Sequence, residues 1–203
     1  MLTPLTPAEQ RDIVAATLPR RGPLSKLCDL LLRRRRKPRI YLSGLVTARV
    51  MNPDGSVAVP WYTYPNGAVY VGLNKMQDVM FRNQAAHTTW YMGLIRNTGF
   101  TGENINDTMV THAGWVEEVQ YTAGVRPAWS PSAAALGVLS IASPISLTAS
   151  ATIDVKGVFA TSDNAKSGTA GTLFATATEG TARNVLSGAT YEFFYSVVLT
   201  PSN

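Results

Sequence analysis

The chain has 203 residues, which is enough for one large β domain or for one domain with an arm. Hydrophobic residues make up 45% of the chain, which allows a packed core, while charged residues make up only 15%, below the roughly 25% of ordinary globular chains. A single cysteine, Cys28, excludes an internal disulfide and a cysteine-based metal site, and no apolar run is long enough for a membrane-spanning helix.

The first predicted element is a short helix near the N-terminus. In TPAEQRDIVAATL, Thr6 can cap the helix, Pro7 suits its first turn and Glu9 completes a capping box, while Pro19 ends the periodic pattern. The opening MLTPLTPAEQ lacks the basic and apolar regions of a signal peptide. We therefore expect a soluble protein made in a reducing compartment.

A second helix is predicted from Leu24 to about Arg36. Leu24, Leu27 and Leu31 fall on one face of it, with Cys28 beside them. Neither helix can bury its apolar face alone, so each must dock on the body or on another chain.

The positive charge of the chain belongs to this N-terminal segment. Residues 1–39 carry ten Lys or Arg and three acids, a net +7, whereas the remaining 164 residues carry eight basic and ten acidic groups, a net −2. We therefore divide the chain into a basic helical arm (1–39) and a β body (40–203).

The body is predicted to consist of short strands separated by turns. NPDG (52–55) predicts a turn, and SVAVPWYTY is strand-like, with a proline that indicates an edge or a bulge. PNG (65–67) predicts a hairpin leading into a strand AVYVGL. The following stretch is ambiguous, since Met76, Val79 and Met80 fit a helical face while TTWYMGLI fits a strand.

The last third shows the clearest strand pattern. ATIDVKGVFA alternates with a shift at Gly157, DNAKSGTAGT predicts a loop, LFATATEG and ARNVLSG predict a strand and a strand start, and TYEFFYSVVLT predicts a closing strand. Seven to nine strands at this spacing predict a mainly β fold, a jelly-roll-like antiparallel β-sandwich with a short helical N-terminal arm.

The segment THAGWVEEVQYTAGVRPAW (111–129) contains the residue types of an active site. His87 and His112 are the only histidines, and without further cysteines they lack the ligands of a metal site, so a structural hydrogen bond is expected for each. Glu117 and Glu118 would point to opposite faces of a strand and cannot act as a carboxylate pair. We predict no cofactor, no metal and no catalysis here.

Packing and a subunit contact are the roles predicted for this segment instead. Trp115, Arg126 and Trp129 are residue types that are enriched in protein interfaces. The alternative is a host-glycan-binding or hydrolytic β-sandwich, which needs Trp90, Trp115 or Trp129 exposed in a groove beside one of the two glutamates.

The run RRRRKPR (33–39) is the strongest charge signal in the chain. It can bind phosphates of nucleic acid, dock on an acidic protein surface or end a solvated helix. The leucine stripe favours protein docking, and the absence of aromatic residues from the arm argues against base readout. The predicted protein-contact residues of the arm are Leu27, Leu31, Arg33, Arg34, Arg35, Arg36 and Lys37.

The tail IDVKGVFATSDNAKSGTAGTLFATATEGTARNVLSGATYEFFYSVVLT (153–200) resembles the C-terminal portion of small structural proteins of tailed bacteriophages. WYMGLI, TGF, NDTMVTHAGWVEEVQY and RPAW are similar to these proteins as well. The matching positions in the tail are Gly157, Phe159, Lys166, Gly168, Gly171, Thr172, Leu173, Arg183, Ser187 and Gly188.

This resemblance implies a virion component without enzymatic activity, assembled in the bacterial host cytoplasm. We expect a capsid decoration or cement protein that self-associates as a dimer or trimer and binds the major capsid protein or other virion proteins. A head–tail connector accessory or a tail-fibre base protein is the alternative within this class. Nucleic acid is disfavoured as a partner, and no membrane is expected.

Overall fold

The computed structural model describes the backbone of residues 39–202 and the side chains of residues 40–201. The two predicted arm helices and the predicted contact residues Leu27, Leu31 and Arg33 to Lys37 lie outside the described residues. The first strand of the described chain is Arg39–Met51.

The described chain contains ten strands and one helix, so the prediction of a mainly β body is confirmed. The elements in chain order are β1 (Arg39–Met51), β2 (Val57–Ala68), α1 (Tyr70–Phe81), β3 (Trp90–Arg96), β4 (Glu117–Glu118), β5 (Ala128–Trp129), β6 (Val138–Ser140), β7 (Ile145–Thr148), β8 (Ile153–Thr161), β9 (Leu173–Val185) and β10 (Thr190–Ser202).

The strands form one antiparallel sheet in the order β4-β3-β8-β9-β2-β1-β10-β6, with β5 added to β3 and β7 added to β10. The two halves of this sheet are joined only where Gly67 and Ala68 of β2 pair with Thr176 and Ala175 of β9. This narrow junction lets the sheet curl, so that both halves cover one interior. The jelly-roll-like sandwich stays a prediction.

The core consists of side chains from both halves of the curled sheet. Val46 of β1 and Phe193 of β10 belong to the same buried cluster as Leu94 of β3 and Val158 of β8. These four side chains are fully excluded from solvent. Burial of this apolar surface is what holds the two halves together.

Several local predictions are confirmed. Residues 52–55 form the turn between β1 and β2, and the β1–β2 register shifts between Ala48 and Val50, opposite the segment that contains Pro60. Over residues 57–66, β2 pairs only with β1, so it is an edge strand that tolerates prolines. The loop predicted between β8 and β9 spans 162–172.

The predicted hairpin at PNG is wrong. Pro65 and Asn66 continue β2, paired with Leu45 and Gly44 of β1. The chain then turns into α1 instead of a strand, because the Val69 N–H bonds to the Phe174 carbonyl and the Tyr70 N–H bonds to the Ile105 carbonyl. These long-range bonds override the β propensity of AVYVGL.

One other boundary differs from the prediction. LFATATEG and ARNVLSG supply one strand, β9, instead of two. Its pairing with β8 jumps from Thr178 to Arg183, opposite a step of only two residues from Gly157 to Val155. The bulge at residues 179–182 keeps the strand continuous and changes which side chains point inward.

Candidate functional site

The three body residues predicted for a subunit contact lie in the interior. Trp115 and Arg126 are each 1% exposed and Trp129 is 6% exposed. Side chains so enclosed have almost no surface left for a neighbouring chain. For Trp115 and Arg126 this burial shows a packing role and does not support the predicted contact role. Trp129 also lines the apolar cavity described below, so its contact role stays a prediction.

Arg126 is the centre of a buried polar network. Its Nε and Nη2 donate to the two carboxylate oxygens of Glu117, each at 2.8 Å, in a bidentate pair. Nη1 and Nη2 also donate to the carbonyl oxygens of Asp163 and Gly168, at 2.9 and 3.0 Å. Glu117 additionally accepts a bond from the Ser167 N–H. The network fastens the β8–β9 loop to the segment 117–126.

Trp115 closes the loop between β3 and β4. Its Nε1 donates to Asp107 at 2.9 Å, and its ring packs on Phe159. The His112 ring stacks on the indole at 3.9 Å between ring centroids, and its Nδ1 donates to the Trp115 carbonyl. His87 likewise bonds to the Thr172 hydroxyl. Both histidines therefore make the structural hydrogen bonds predicted from the sequence.

The two adjacent glutamates do not form an acid pair. Glu117 is held by Arg126, whereas Glu118 accepts a hydrogen bond from the Gln120 N–H. Both side chains are buried, and Trp115 beside them is not exposed in a groove. The arrangement required by the glycan-binding alternative is therefore not formed around these residues.

Sequence reasoning missed a second buried polar cluster, centred on Glu179. The hydroxyls of Tyr191 and Tyr62 donate to one carboxylate oxygen at 2.7 and 2.8 Å, and the Arg183 Nε donates to the other at 2.8 Å. Tyr64 extends the cluster through a 3.0 Å bond between its hydroxyl and that of Tyr191. The cluster links β2, β9 and β10 near the junction of the two halves.

Burial raises the pKa of Glu179 above its ordinary value, although the hydrogen bonds from Tyr191, Tyr62 and Arg183 oppose the shift. Burial also raises the pKa of Tyr191 far above its ordinary value. With Glu179 only 3% exposed, a substrate cannot reach the carboxylate, so the cluster is suited to fixing the curl. The signal in the sequence that could have indicated this cluster was a single acidic residue, Glu179, within a strand of small side chains.

An apolar cavity of about 340 Å³ lies between α1 and the sheet. Its wall combines side chains of α1, β3, β9 and β10 with the segment before β6, among them Met76, Trp90, Phe174 and Val197. Lys75 and His87 are the titratable residues of the lining, and Lys75 donates to the Ala85 carbonyl. Such a cavity takes apolar groups rather than a polar substrate.

α1 approaches the sheet closely at its N-terminal end. Gly72 is the only buried residue of the helix, and a Cβ there would lie 2.5 Å from the Phe174 carbonyl oxygen. The glycine therefore permits a close approach at the N-terminal end of α1. Towards its C-terminal end the helix leaves Met80 and Phe81 exposed.

Exposed apolar side chains lie on or next in sequence to residues that line the cavity. Phe81 is 79% exposed and follows the lining residue Met80, which is itself 66% exposed. Leu136, 70% exposed with a φ of 52°, precedes the lining residue Gly137. Ile40, 77% exposed, lies two residues before the lining residue Leu42. We call the cavity and these four side chains the apolar face.

Within residues 39–202, no helix has the length and hydropathy needed to cross a membrane. The same part of the chain contains no group of three or more His, Cys, Asp or Glu side chains positioned to hold a metal ion. No protein-family model matches the chain, and no significant match was found among curated proteins or solved structures.

Proposed function

We propose that the chain is a structural component of a phage virion, specifically a capsid decoration or cement protein without enzymatic activity. The observation that carries this proposal is the apolar face, since exposed apolar patches of this kind mark protein contact sites. The resemblance of the tail to phage structural proteins selects the class of assembly. The two buried polar clusters are consistent with a rigid body that docks on its neighbours as one unit.

The proposed mechanism is burial of apolar surface between chains of the shell. At about 25 cal/mol per Å², a patch of a few hundred Å² contributes on the order of 10 kcal/mol before the costs of association. The basic run from Arg33 to Lys37 adds electrostatic attraction towards an acidic surface of the major capsid protein. Self-association as a dimer or trimer would repeat these contacts around a symmetry axis.

We further propose that the body is a jelly-roll-like sandwich whose two layers are the halves of the curled sheet. The support is the shared core, in which Val46 and Phe193 of one half belong to the same cluster as Leu94 and Val158 of the other. A closed sandwich presents its outer strands and loops to neighbouring subunits while its interior stays fixed.

Binding to purified capsids that lack the protein tests the role of the apolar face. Phe81→Asp is expected to weaken binding at least about tenfold, because large aromatic side chains carry much of the energy at protein contacts. Leu186→Asp is the matched control, since Leu186 is 51% exposed and lies near the turn at Gly188, which packs against Pro53 beyond the far end of β1. Equal binding by both variants would contradict the proposal.

Copy number in the assembled particle tests the position. Hundreds of copies per particle support decoration of the head, whereas six or twelve copies would place the chain at the connector or the tail. Failure of the labelled protein to bind any virion component would remove the whole class.

A further inference from the structure

The cavity of the apolar face lies beside the point where the described chain begins. Leu42 of β1 and its partner Leu199 of β10 both contribute to the lining. Arg39, the first described residue, is three positions before Leu42, a distance of roughly 10 Å along a strand. Residues 1–38 therefore connect to the body next to an open apolar cavity.

The segment just before this point carries the matching apolar surface. Leu24, Leu27 and Leu31 lie on one face of the helix predicted from the sequence. With residues 32–36 in the predicted helix and residues 37–39 extended, Leu31 lies within about 18 Å of Arg39, which is sufficient for the helix to fold back over the body. At about 340 Å³ the cavity accepts a few side chains rather than a whole helix.

We propose that Leu27 and Leu31 of the same chain fill the cavity of the apolar face before assembly. The leucine stripe and the cavity are each unfavourable in water, and docking one on the other removes both from solvent. The docking takes place in the unassembled chain, so it stands or falls independently of capsid binding.

The same chain is a better source than a second copy because of the short connection. A short covalent connection gives an effective concentration on the order of millimolar, far above the micromolar concentration of other copies in solution. The lining also offers few polar groups for the head of a small amphipathic ligand, and Lys75 already bonds to the Ala85 carbonyl.

Disulfide trapping in the full-length chain tests this docking, because Cys28 is the only cysteine and lies beside the stripe. Ala134 lines the cavity and is exposed, so Ala134→Cys places a thiol at its edge. Under mild oxidation with diamide we expect an intramolecular link between residues 28 and 134. Its rate should exceed that of intermolecular links on the order of a hundredfold at micromolar protein.

Thr181→Cys is the matched control, since Thr181 is exposed on β9 and does not line the cavity. A link to position 134 that forms no faster than the link to position 181 would overturn the proposal. Disulfide-linked dimers in place of linked monomers would also overturn it, because they assign the cavity to a second copy. Ala86→Cys, at another lining residue, repeats the test should Ala134→Cys fail to fold.

A second readout uses the fluorescent dye 1-anilinonaphthalene-8-sulfonate, which reports on accessible apolar cavities. Leu27→Asp combined with Leu31→Asp is expected to expose the cavity and increase dye binding severalfold, while Leu32→Asp, off the stripe, leaves it unchanged. Equal dye binding by the wild type, the double variant and the control would contradict the docking. A small molecule that co-purifies with the wild-type chain and competes with the dye would likewise overturn it.

Discussion

The Arg126–Glu117 pair provides the sharpest test of how the body is held together. Arg126→Met keeps the length of the side chain but removes every donor of the guanidinium. The Arg126 side chain is 0% exposed and that of Glu117 is 7% exposed, so the carboxylate would stay buried after losing its bidentate partner. After the substitution, Glu117 would still accept a hydrogen bond from the Ser167 N–H.

Removing one partner of a buried ion pair costs about 3–5 kcal/mol of stability. At about 2–4 °C per kcal/mol for a chain of this size, the melting temperature is expected to fall by roughly 6–20 °C. Urea unfolding followed by tryptophan fluorescence measures the free energy directly. Adding Glu117→Gln is expected to recover part of the loss, because it removes the uncompensated charge.

The matched control is Arg82→Met, which breaks a surface pair. Arg82, the residue after α1, bonds to Asp78 of the helix, and its side chain is 69% exposed, so loss of the pair should cost less than about 1 kcal/mol of stability. If Arg126→Met destabilises the chain no more than Arg82→Met does, the network around Arg126 does not hold the body together.

Three further predictions concern the stability of the body. Gly72→Ala is expected to lower the free energy of unfolding in urea by about 1–3 kcal/mol, because the new methyl group meets a backbone carbonyl of β9. Gly180→Ala is the control and should be near neutral, since open space surrounds that position. Equal effects of the two substitutions would contradict the close approach at Gly72. Burial raises the pKa of Glu179 in the folded chain, so the stability contributed by its protonated carboxyl is fully present below the ordinary pKa of 4.5 and is lost as the pH rises through the folded pKa. The free energy of unfolding should therefore fall less steeply with rising pH in Glu179→Gln than in the wild type, and identical slopes would contradict this. Trp115→Phe removes the indole donor to Asp107 and should cost about 1–3 kcal/mol; an unchanged denaturation midpoint would show that the bond is dispensable.

Local signals predicted much of the strand pattern of this chain. The turn at 52–55 and the loop at 162–172 follow from glycine, proline and short polar side chains, which act over a few residues. The alternation around Gly157 predicted where β8 changes register. Such features depend on neighbours in the sequence, so they can be read without the fold.

The features that the sequence did not predict depend on distant partners. The turn from β2 into α1 is fixed by the carbonyls of Phe174 and Ile105, and the inward position of Glu179 is fixed by the bulge of β9. Likewise, arginine is a residue type that is common at protein contacts, but Arg126 is enclosed by the carbonyl groups of Asp163 and Gly168. Residue type alone does not distinguish an exposed arginine from a buried one that joins three segments.

Polar and apolar side chains of the body are distributed in an unusual way. The buried glutamates accept hydrogen bonds from within the body, Glu117 from Arg126 and Glu179 from Tyr191. These bonds stabilise loops and strands. Large apolar side chains such as Phe81 and Leu136 are exposed, each next in sequence to a residue that lines the cavity. Polar clusters inside and apolar side chains outside are the distribution that the proposed contact role requires.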